Sequence, residues 1–247
     1  MSTTAPRKNA SWPGIVLAAA ICGAWLSLHV YLIFVYDWTT ANPIITFFAV
    51  ALQVWLYAGM FIVAHDSMHG SLFPKSPRAN HIVGQAILFI YAGFNWPKMR
   101  AAHHAHHDNP GTAQDPDFNP ENPTAFGPWF YRWFRTYFGW PQIALITALV
   151  GIYMFAFGAA YSNILLFWAS PALLSSLQLF YYGTYLPHRH GDEFADEHNA
   201  RSNDYPYIGS LLSCFHFGYH HEHHLYPYEP WWRLPLRRKE TLDKMKS

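Results

Sequence analysis

Residues 14–36, GIVLAAAICGAWLSLHVYLIFVY, form an unbroken apolar run without a charged side chain. A helix of this length is long enough to cross the hydrocarbon core of a bilayer, which is roughly 30 Å thick. The run is longer than the apolar part of a cleavable signal peptide, and no small-residue cleavage site leads into a soluble domain. We therefore predict a transmembrane helix that remains in the protein.

Other parts of the chain repeat this pattern. Residues 43–64 (PIITFFAVALQVWLYAGMFIVA) are also free of charge, and the runs 141–162 and 163–187 are separated only by the weak break GAAYSN. Residues 82–95 (IVGQAILFIYAGFN) are apolar but cover about two-thirds of a span, a length typical of a re-entrant or interfacial helix. We predict an all-α integral membrane protein, a single domain over 1–247, with four transmembrane helices and one half-span.

The composition agrees with a membrane protein. Charged residues make up 13% of the chain, about half the usual share in a soluble domain, and aromatic residues reach 19%. A formal net charge of +1 leaves no dominant basic face, so a nucleic-acid partner is not expected. Cys22 and Cys214 form neither a disulfide framework nor a metal-binding motif, and we expect two buried thiols.

Lysine and arginine predict the orientation. All 16 lie in the N-terminus (Arg7 and Lys8), in the segment 65–140 or in the tail after 188. The loops around 37–42 and 158–163 contain none. Four crossings place the three basic regions on one face, and the positive-inside rule makes that face cytoplasmic. We expect a multi-pass protein of the bacterial inner membrane with both termini in the cytoplasm.

Histidines are concentrated on that same face. Of the 16 histidines only His29 lies within a predicted span, where a packed core position is expected, and His81 is expected to be structural. The others include three clusters. HDSMH has i, i+4 spacing (His65 and His69), and HHAHH and HHEHH have i, i+3 and i+4 spacing (His103, His106 and His107, then His220, His223 and His224). This spacing places the rings of each cluster on one helix face, whereas His104 and His221 point away.

Such clusters indicate metal binding. Neutral imidazole is a ligand for Fe, Zn, Cu and Ni, and three clusters supply more rings than one ion binds. A structural zinc site would favour thiolates, which these clusters lack. We therefore predict a redox-active pair of metal ions, with iron as the best match, in a cytosolic histidine-rich helical cap.

The motifs also carry a family resemblance. HDSMH, HHAHH and HHEHH resemble the three histidine boxes of the membrane fatty-acid desaturase and hydroxylase superfamily, and TYLPHRHGDEF (184–194) resembles the extra-histidine segment between its second and third boxes. The longer stretches HDSMHG, HHAHHDNPGTAQDPDF, GTYLPHRHGDEF with HNARSN, and CFHFGYHHEHHLYP are similar to the bacterial β-carotene ketolases.

The resemblance implies nine iron ligands, which are His65, His69, His103, His106, His107, His188, His220, His223 and His224. His188 is preferred to His190 as the ninth because it directly ends a predicted span. The residues implied to orient these ligands through hydrogen bonds are Asp66, Asp108, Asp115, Asp117, His190 and His216. Capping and turn roles explain Asp115 and Asp117 equally well.

The resemblance further implies an O₂-dependent di-iron oxygenase acting on β-carotene, with zeaxanthin as a further candidate substrate. The ring C4 methylene would become a ketone by two successive hydroxylations and dehydration, giving echinenone and then canthaxanthin. A carotenoid 3-hydroxylase and a fatty-acyl desaturase or hydroxylase stay open as alternatives, because the spacing of the histidine boxes indicates metal binding and does not indicate the substrate. A metal or haem transporter is disfavoured, because the spans hold no ionisable group apart from His29.

Electrons are expected from outside the chain. No G-x-G-x-x-G, P-loop or haem-attachment motif is present, so a separate carrier such as reduced ferredoxin is implied. The basic tail RRKETLDKMK is suited either to docking an acidic carrier or, more commonly for such tails, to contact with anionic lipid head groups.

Overall fold

The computed structural model describes residues 12–191 and 193–246. Arg7 and Lys8, which contributed to the predicted orientation, lie outside these ranges. Within the described part of the chain all regular structure is helical, so the prediction of an all-α protein is confirmed. The helices are α1 (Trp12–Phe34), α2 (Pro43–His69), α3 (Pro77–Ala92), α4 (Trp96–Asp108), α5 (Phe126–Tyr137), α6 (Trp140–Phe155), α7 (Tyr161–His188), α8 (Tyr207–Cys214), α9 (His220–Leu225) and α10 (Leu234–Lys246).

Three helices in the described ranges, α1, α2 and α7, are long and apolar enough to cross a membrane. The predicted span 141–162 is wrong in its bounds, because α6 contains 16 residues and the helix ends at Phe155. At 1.5 Å per residue α6 is about 24 Å long, shorter than the hydrocarbon core. A fourth crossing arises if α5 and α6, which meet at a bend of 76°, form one broken span.

α2 carries the first histidine cluster beyond the predicted span. The Asn42 side chain accepts a hydrogen bond from Ile44 N, which starts the helix, and Pro43 occupies the first turn. Gly70 ends it with a left-handed φ of 74°, and its N–H reaches the carbonyl groups of the last turn. Because α2 continues to His69, His65 and His69 lie one turn apart on the same helix.

α3 is the predicted half-span, although it begins at Pro77, earlier than the predicted 82. Near its end the Tyr91 hydroxyl lies 2.9 Å from Ser175 Oγ, and the Tyr91 ring meets Tyr57 edge to face at 5.3 Å. Tyr57 precedes His69 by about 18 Å of helix. α3 therefore ends about halfway along α2, as a re-entrant helix would.

The two loops that lack Lys and Arg lie at the same end of the molecule. Asn163 at the start of α7 donates from Nδ2 to the carbonyl oxygens of Leu32 and Tyr36, both at 2.9 Å. The start of α7 is therefore held against the end of α1. The histidine-bearing ends of α2 and α7 lie at the opposite end.

The main core is formed where α1, α2, α3 and α7 pack together. Tyr57, Ile62 and Val63 of α2 are fully buried within it. His29 stacks on Trp25 with ring centroids 4.9 Å apart, and His81 accepts a hydrogen bond from Trp96 Nε1 at 2.9 Å, so both have structural surroundings. The outer faces of the candidate spans are apolar and exposed, as lipid contact requires.

Candidate metal centre

Nine histidines gather in two groups at the ends of α2, α4, α7 and α9. The five-histidine group comprises His65, His69, His103, His107 and His223, and the four-histidine group comprises His106, His188, His220 and His224. Within each group the candidate ligand nitrogens all lie within 4.8 Å of one another. These nine residues are the same nine that the sequence motifs singled out.

The helical spacing divides the second and third boxes between the groups, whereas His65 and His69 of the first box lie in the same group. On α4, His103 and His107 are four residues apart and face the five-histidine group, whereas His106 faces the other group. On α9, His220 and His224 belong to the four-histidine group, whereas His223 belongs to the five-histidine group. Residues four apart lie about 40° apart around a helix axis, so they reach the same ion more readily than residues three apart.

The ring nitrogens are close enough to face a common ion. His69 Nε2 lies 2.6 Å from His103 Nε2, and His220 Nε2 lies 3.1 Å from His224 Nε2. Burial lowers the pKa of His103, His107, His220, His223 and His224 well below the usual range, and neighbouring imidazoles lower it further. The rings are therefore neutral, which is the state that binds metals.

The donor set fits a pair of metal ions. Several buried ring nitrogens have no hydrogen-bond partner among the described residues, including both nitrogens of His65 and Nε2 of His188. A buried polar atom without a partner costs about 1–3 kcal/mol, and metal ligation would satisfy such atoms at Nε2 or Nδ1. Nine imidazoles without a thiolate suit iron better than structural zinc.

Asp115 orients one ligand. Its Oδ2 accepts hydrogen bonds from His106 Nδ1 and Gly111 N, each at 2.9 Å, and its Oδ1 accepts one from Asp117 N at 2.8 Å. Burial by itself would raise the pKa of Asp115, but His106 and the two backbone N–H groups outweigh it and lower that pKa. A carboxylate at Nδ1 fixes the ring so that Nε2 is presented to an ion.

A backbone carbonyl does the same for His188. Its Nδ1 donates to the carbonyl oxygen of Asn199 at 2.7 Å, and Asn199 Nδ2 donates to the carbonyl oxygen of Pro110 at 3.0 Å. His190 lies outside both groups: it is exposed, and its Nε2 donates to the carbonyl oxygen of Gly111 at 3.2 Å. Of His188 and His190, only His188 therefore lies with the other histidines of the two groups.

The remaining candidate orienting residues are placed differently. Asp66 accepts a hydrogen bond from Trp231 N at 3.1 Å, and its 3.7 Å distance from His65 Nδ1 is too long for one. Asp108 is exposed, and among the described residues no hydrogen bond joins it to the nine histidines. His216 is buried against Tyr207, in neither group, with a left-handed φ of 62°.

The two histidines expected to point away do lie outside both groups. His221 Nε2 pairs with Asp196 Oδ2 at 2.8 Å, and His104 is only half-buried. The sequence motifs did not identify Asp196 or His198. The centroid of the His198 ring lies 6.0 Å from that of the His224 ring. Neither Asp196 nor His198 lies in a spaced motif that would have predicted a place beside the histidine boxes.

The third box is tied to α10. The Glu222 carboxylate is fully buried and accepts hydrogen bonds from Ser202 Oγ and, at 3.2 Å, from Arg238 Nη1. Arg238 also reaches Asp204, and Arg237 pairs with Glu229 and Glu240. The two arginines of the basic tail therefore hold the tail against the histidine region, a role that the tail composition did not reveal.

A pocket with a cavity volume of about 70 Å³ opens to solvent beside the histidines. His65, His103, His106 and His220 border it, and most of the remaining wall is aromatic or aliphatic. Among the described residues that line it, Asp117 is the one carboxylate and no Lys or Arg occurs. Burial raises the pKa of Asp117 to about 6.

Comparison with known proteins places the chain among membrane oxidoreductases. The fatty acid desaturase family model matches residues 41–146 and 140–247. A β-carotene ketolase of Paracoccus sp. (strain N81106 / MBIC 01143) is 46% identical over 94% of this chain and 95% of the relative. A β-carotene ketolase of Paracoccus sp. (strain PC1) is 48% identical over 90% of this chain and 91% of the relative. The zeaxanthin 4-ketolase of Chlamydomonas reinhardtii is 36% identical over 92% of this chain and 53% of the relative.

Proposed function

The chain belongs to the fatty acid desaturase family, within which it groups with the β-carotene ketolases, and we propose that it is a β-carotene 4-ketolase with a di-iron centre. The observation that carries the proposal is the position of the two histidine groups beside a mainly apolar pocket. Such a site combines a nitrogen-rich metal centre with a cavity for a hydrocarbon.

The pocket wall supports an uncharged substrate. β-Carotene has no polar group, so its binding free energy must come from burial of apolar surface, which Phe61, Phe134 and Leu179 offer. The absence of Lys and Arg among the described lining residues leaves no counter-charge for a fatty-acid carboxylate. This disfavours a free fatty acid, and the similarity to the β-carotene ketolases favours a carotenoid over the fatty-acyl alternative.

The reaction follows from the substrate chemistry. The C4 methylene is allylic to the polyene, so its C–H bonds are weak. Bound iron would supply activation of O₂, and each hydroxylation consumes one O₂, two electrons and two protons and releases one water. A second hydroxylation of C4 gives a gem-diol, which loses water to the ketone. Two O₂ and four electrons per ring convert β-carotene to echinenone and then canthaxanthin.

The chain's own residues position the ring and the ligands. Asp115 and the Asn199 carbonyl hold the Nδ1 protons of His106 and His188. Phe217 packs edge to face on His65 with centroids 4.8 Å apart, which keeps water from that side of the ligand. Electrons come from a separate carrier such as reduced ferredoxin. Zeaxanthin is a second candidate substrate, supported by the name of the Chlamydomonas relative.

The protein is proposed to lie in the bacterial inner membrane with four crossings, the bent α5–α6 pair forming the third, and with both termini cytoplasmic. The support is that the two loops without Lys or Arg share one end of the molecule. Reporter fusions at Trp38 and Phe157 should read periplasmic, and fusions at Asn119 and Lys246 cytoplasmic. A cytoplasmic signal at Trp38 would overturn the scheme.

The activity is tested by expressing the chain in bacteria that accumulate β-carotene, and then with purified protein in nanodiscs supplied with ferredoxin and its reductase. The expected products, identified by chromatography and mass, are 4-hydroxy intermediates, echinenone and canthaxanthin. Zeaxanthin as the sole product would move the attack to C3 and reject the ketolase assignment.

A further inference from the structure

One polar pair stands out in the apolar pocket. The Tyr137 hydroxyl donates a hydrogen bond to Asp117 Oδ1, and both residues line the pocket. The backbone beneath the pair is held by α5, because Trp129 Nε1 donates to the carbonyl oxygen of Asp117 at 2.7 Å. The pair is therefore a fixed part of the wall.

Asp117 differs from its neighbour Asp115 in what it faces. Asp115 is buried, and its two oxygens receive three donors from the protein, which explains it as the partner of His106. Asp117 is only partly buried, because its carboxylate borders the pocket. Tyr137 and Trp133 donate side-chain hydrogen bonds to the Asp117 carboxylate. An ionised carboxylate offers about four lone-pair sites, so these two donors leave acceptor capacity toward the pocket.

The position of this acceptor relative to the metal centre matters. Ligand atoms of Asp117, Asp115 and His106 lie within 4.8 Å of one another, and His106 also borders the pocket. A group hydrogen-bonded to Asp117 is therefore held beside the four-histidine group. The acceptor capacity that remains on the pocket side of Asp117 is unmet while β-carotene occupies the cavity, because a β-carotene ring carries no donor.

From these contacts, and resting on the proposed function, we propose that Asp117 and Tyr137 form a binding site for the C4 hydroxyl of the singly hydroxylated ring. The alcohol O–H donates a hydrogen bond to the Asp117 carboxylate, which keeps C4 beside the histidines for the second oxidation. The ketone product has no hydroxyl to donate, so the same carboxylate does not retain it. The pair thus selects the intermediate for further reaction and lets the product leave.

The test compares Asp117→Asn and Tyr137→Phe with the wild type in nanodiscs with reduced ferredoxin. Matched controls are Glu121→Gln, an exposed carboxylate in the same loop, and Tyr131→Phe, an exposed tyrosine on the same helix. Substrates are β-carotene and 4-hydroxy-β-carotene, and the readouts are the ratio of released 4-hydroxy to 4-keto rings, kcat/KM for each substrate, and iron per chain.

Asp117→Asn should raise the released 4-hydroxy to 4-keto ratio about tenfold, the lower end expected for loss of a hydrogen bond to a charged group. Tyr137→Phe should shift the ratio in the same direction by about threefold, because the carboxylate is then less firmly held. The iron content of both variants and the activity of both controls should stay near wild type, and in the two pocket variants the second oxidation should lose more rate than the first hydroxylation of β-carotene.

An unchanged ratio in both variants would overturn the proposal. Equal losses in both oxidation steps, or loss of iron from Asp117→Asn, would also overturn it, since Asp117 would then act on the metal centre. If Asp117→Asn does not fold, the ratio in Tyr137→Phe decides. If the wild type makes no C4-oxidised product, both the ketolase assignment and this site are wrong. If the wild type is active and the 4-hydroxy to 4-keto ratio in both variants equals that of the wild type, only the site is wrong.

Discussion

His107 and His223 meet with their Nε2 atoms 2.9 Å apart, although 116 positions separate them in the chain. The contact joins the second and third histidine boxes within the five-histidine group. His106, the immediate neighbour of His107, instead lies against His188, with ring centroids 4.7 Å apart. Adjacent histidines in one box therefore face different groups, and the four predictions that follow test this arrangement and what supports it.

Single replacement of a grouped histidine by Ala should remove bound iron and activity. The loss should exceed about 100-fold, because even a hydrogen-bond partner of a metal ligand is worth 10–100-fold. This applies to His65, His69, His103, His106, His107, His188, His220, His223 and His224. Iron per chain and carotenoid conversion are measured on the membrane fraction, where each variant should still be found because the apolar spans direct insertion.

The matched controls are His104→Ala and His221→Ala, which lie in the same boxes but in neither group. Both should retain iron and most activity. If either proved as damaging as its neighbours, the division into two groups would be wrong.

Asp115→Asn should weaken iron binding or activity by about 10–100-fold, because His106 loses the carboxylate that orients its ring. Asp108→Asn is the control, since Asp108 is exposed although the family resemblance implied a similar role. Iron titration and conversion rates measure both. Equal effects of the two substitutions would contradict the placement of Asp108 away from the ligands.

Gly183→Ala should damage the site through packing. A Cβ at position 183 would lie 2.4 Å from the Phe217 ring, which packs on His65. Overpacking of this kind costs about 1–3 kcal/mol and would shift Phe217. Gly151→Ala, where no atom lies within 4 Å, should leave stability unchanged or slightly higher. Thermal unfolding and activity in detergent compare the two, and a Gly183→Ala variant indistinguishable from Gly151→Ala would refute the contact.

Arg238→Met should destabilise the protein by about 3 kcal/mol, because it leaves the buried Glu222 carboxylate without its charged partner. The double variant Glu222→Gln/Arg238→Met should recover part of that loss, since no charge is then left buried. The midpoint of thermal unfolding reports both. A double variant no more stable than Arg238→Met would show that the pair is not coupled.

Local patterns in the sequence determined the class of the protein and the candidate ligands. Long charge-free runs predicted α1, α2 and α7, and the i, i+3 and i+4 spacing predicted which histidines share a helix face, because both depend only on neighbours along the chain. Hydropathy did not predict the end of α6 at Phe155, since the residues up to 162 are still apolar after the helix has ended.

Tertiary structure alone decided how the nine histidines divide into five and four, because that division depends on the angles at which α2, α4, α7 and α9 meet. It also decided that Asp115 supports His106 while Asp117 borders the pocket with Tyr137, and that Arg238 reaches Glu222. These pairings join side chains whose chemistry is visible in the sequence. Their distances, however, are set by the packing of separate helices, which no local pattern records.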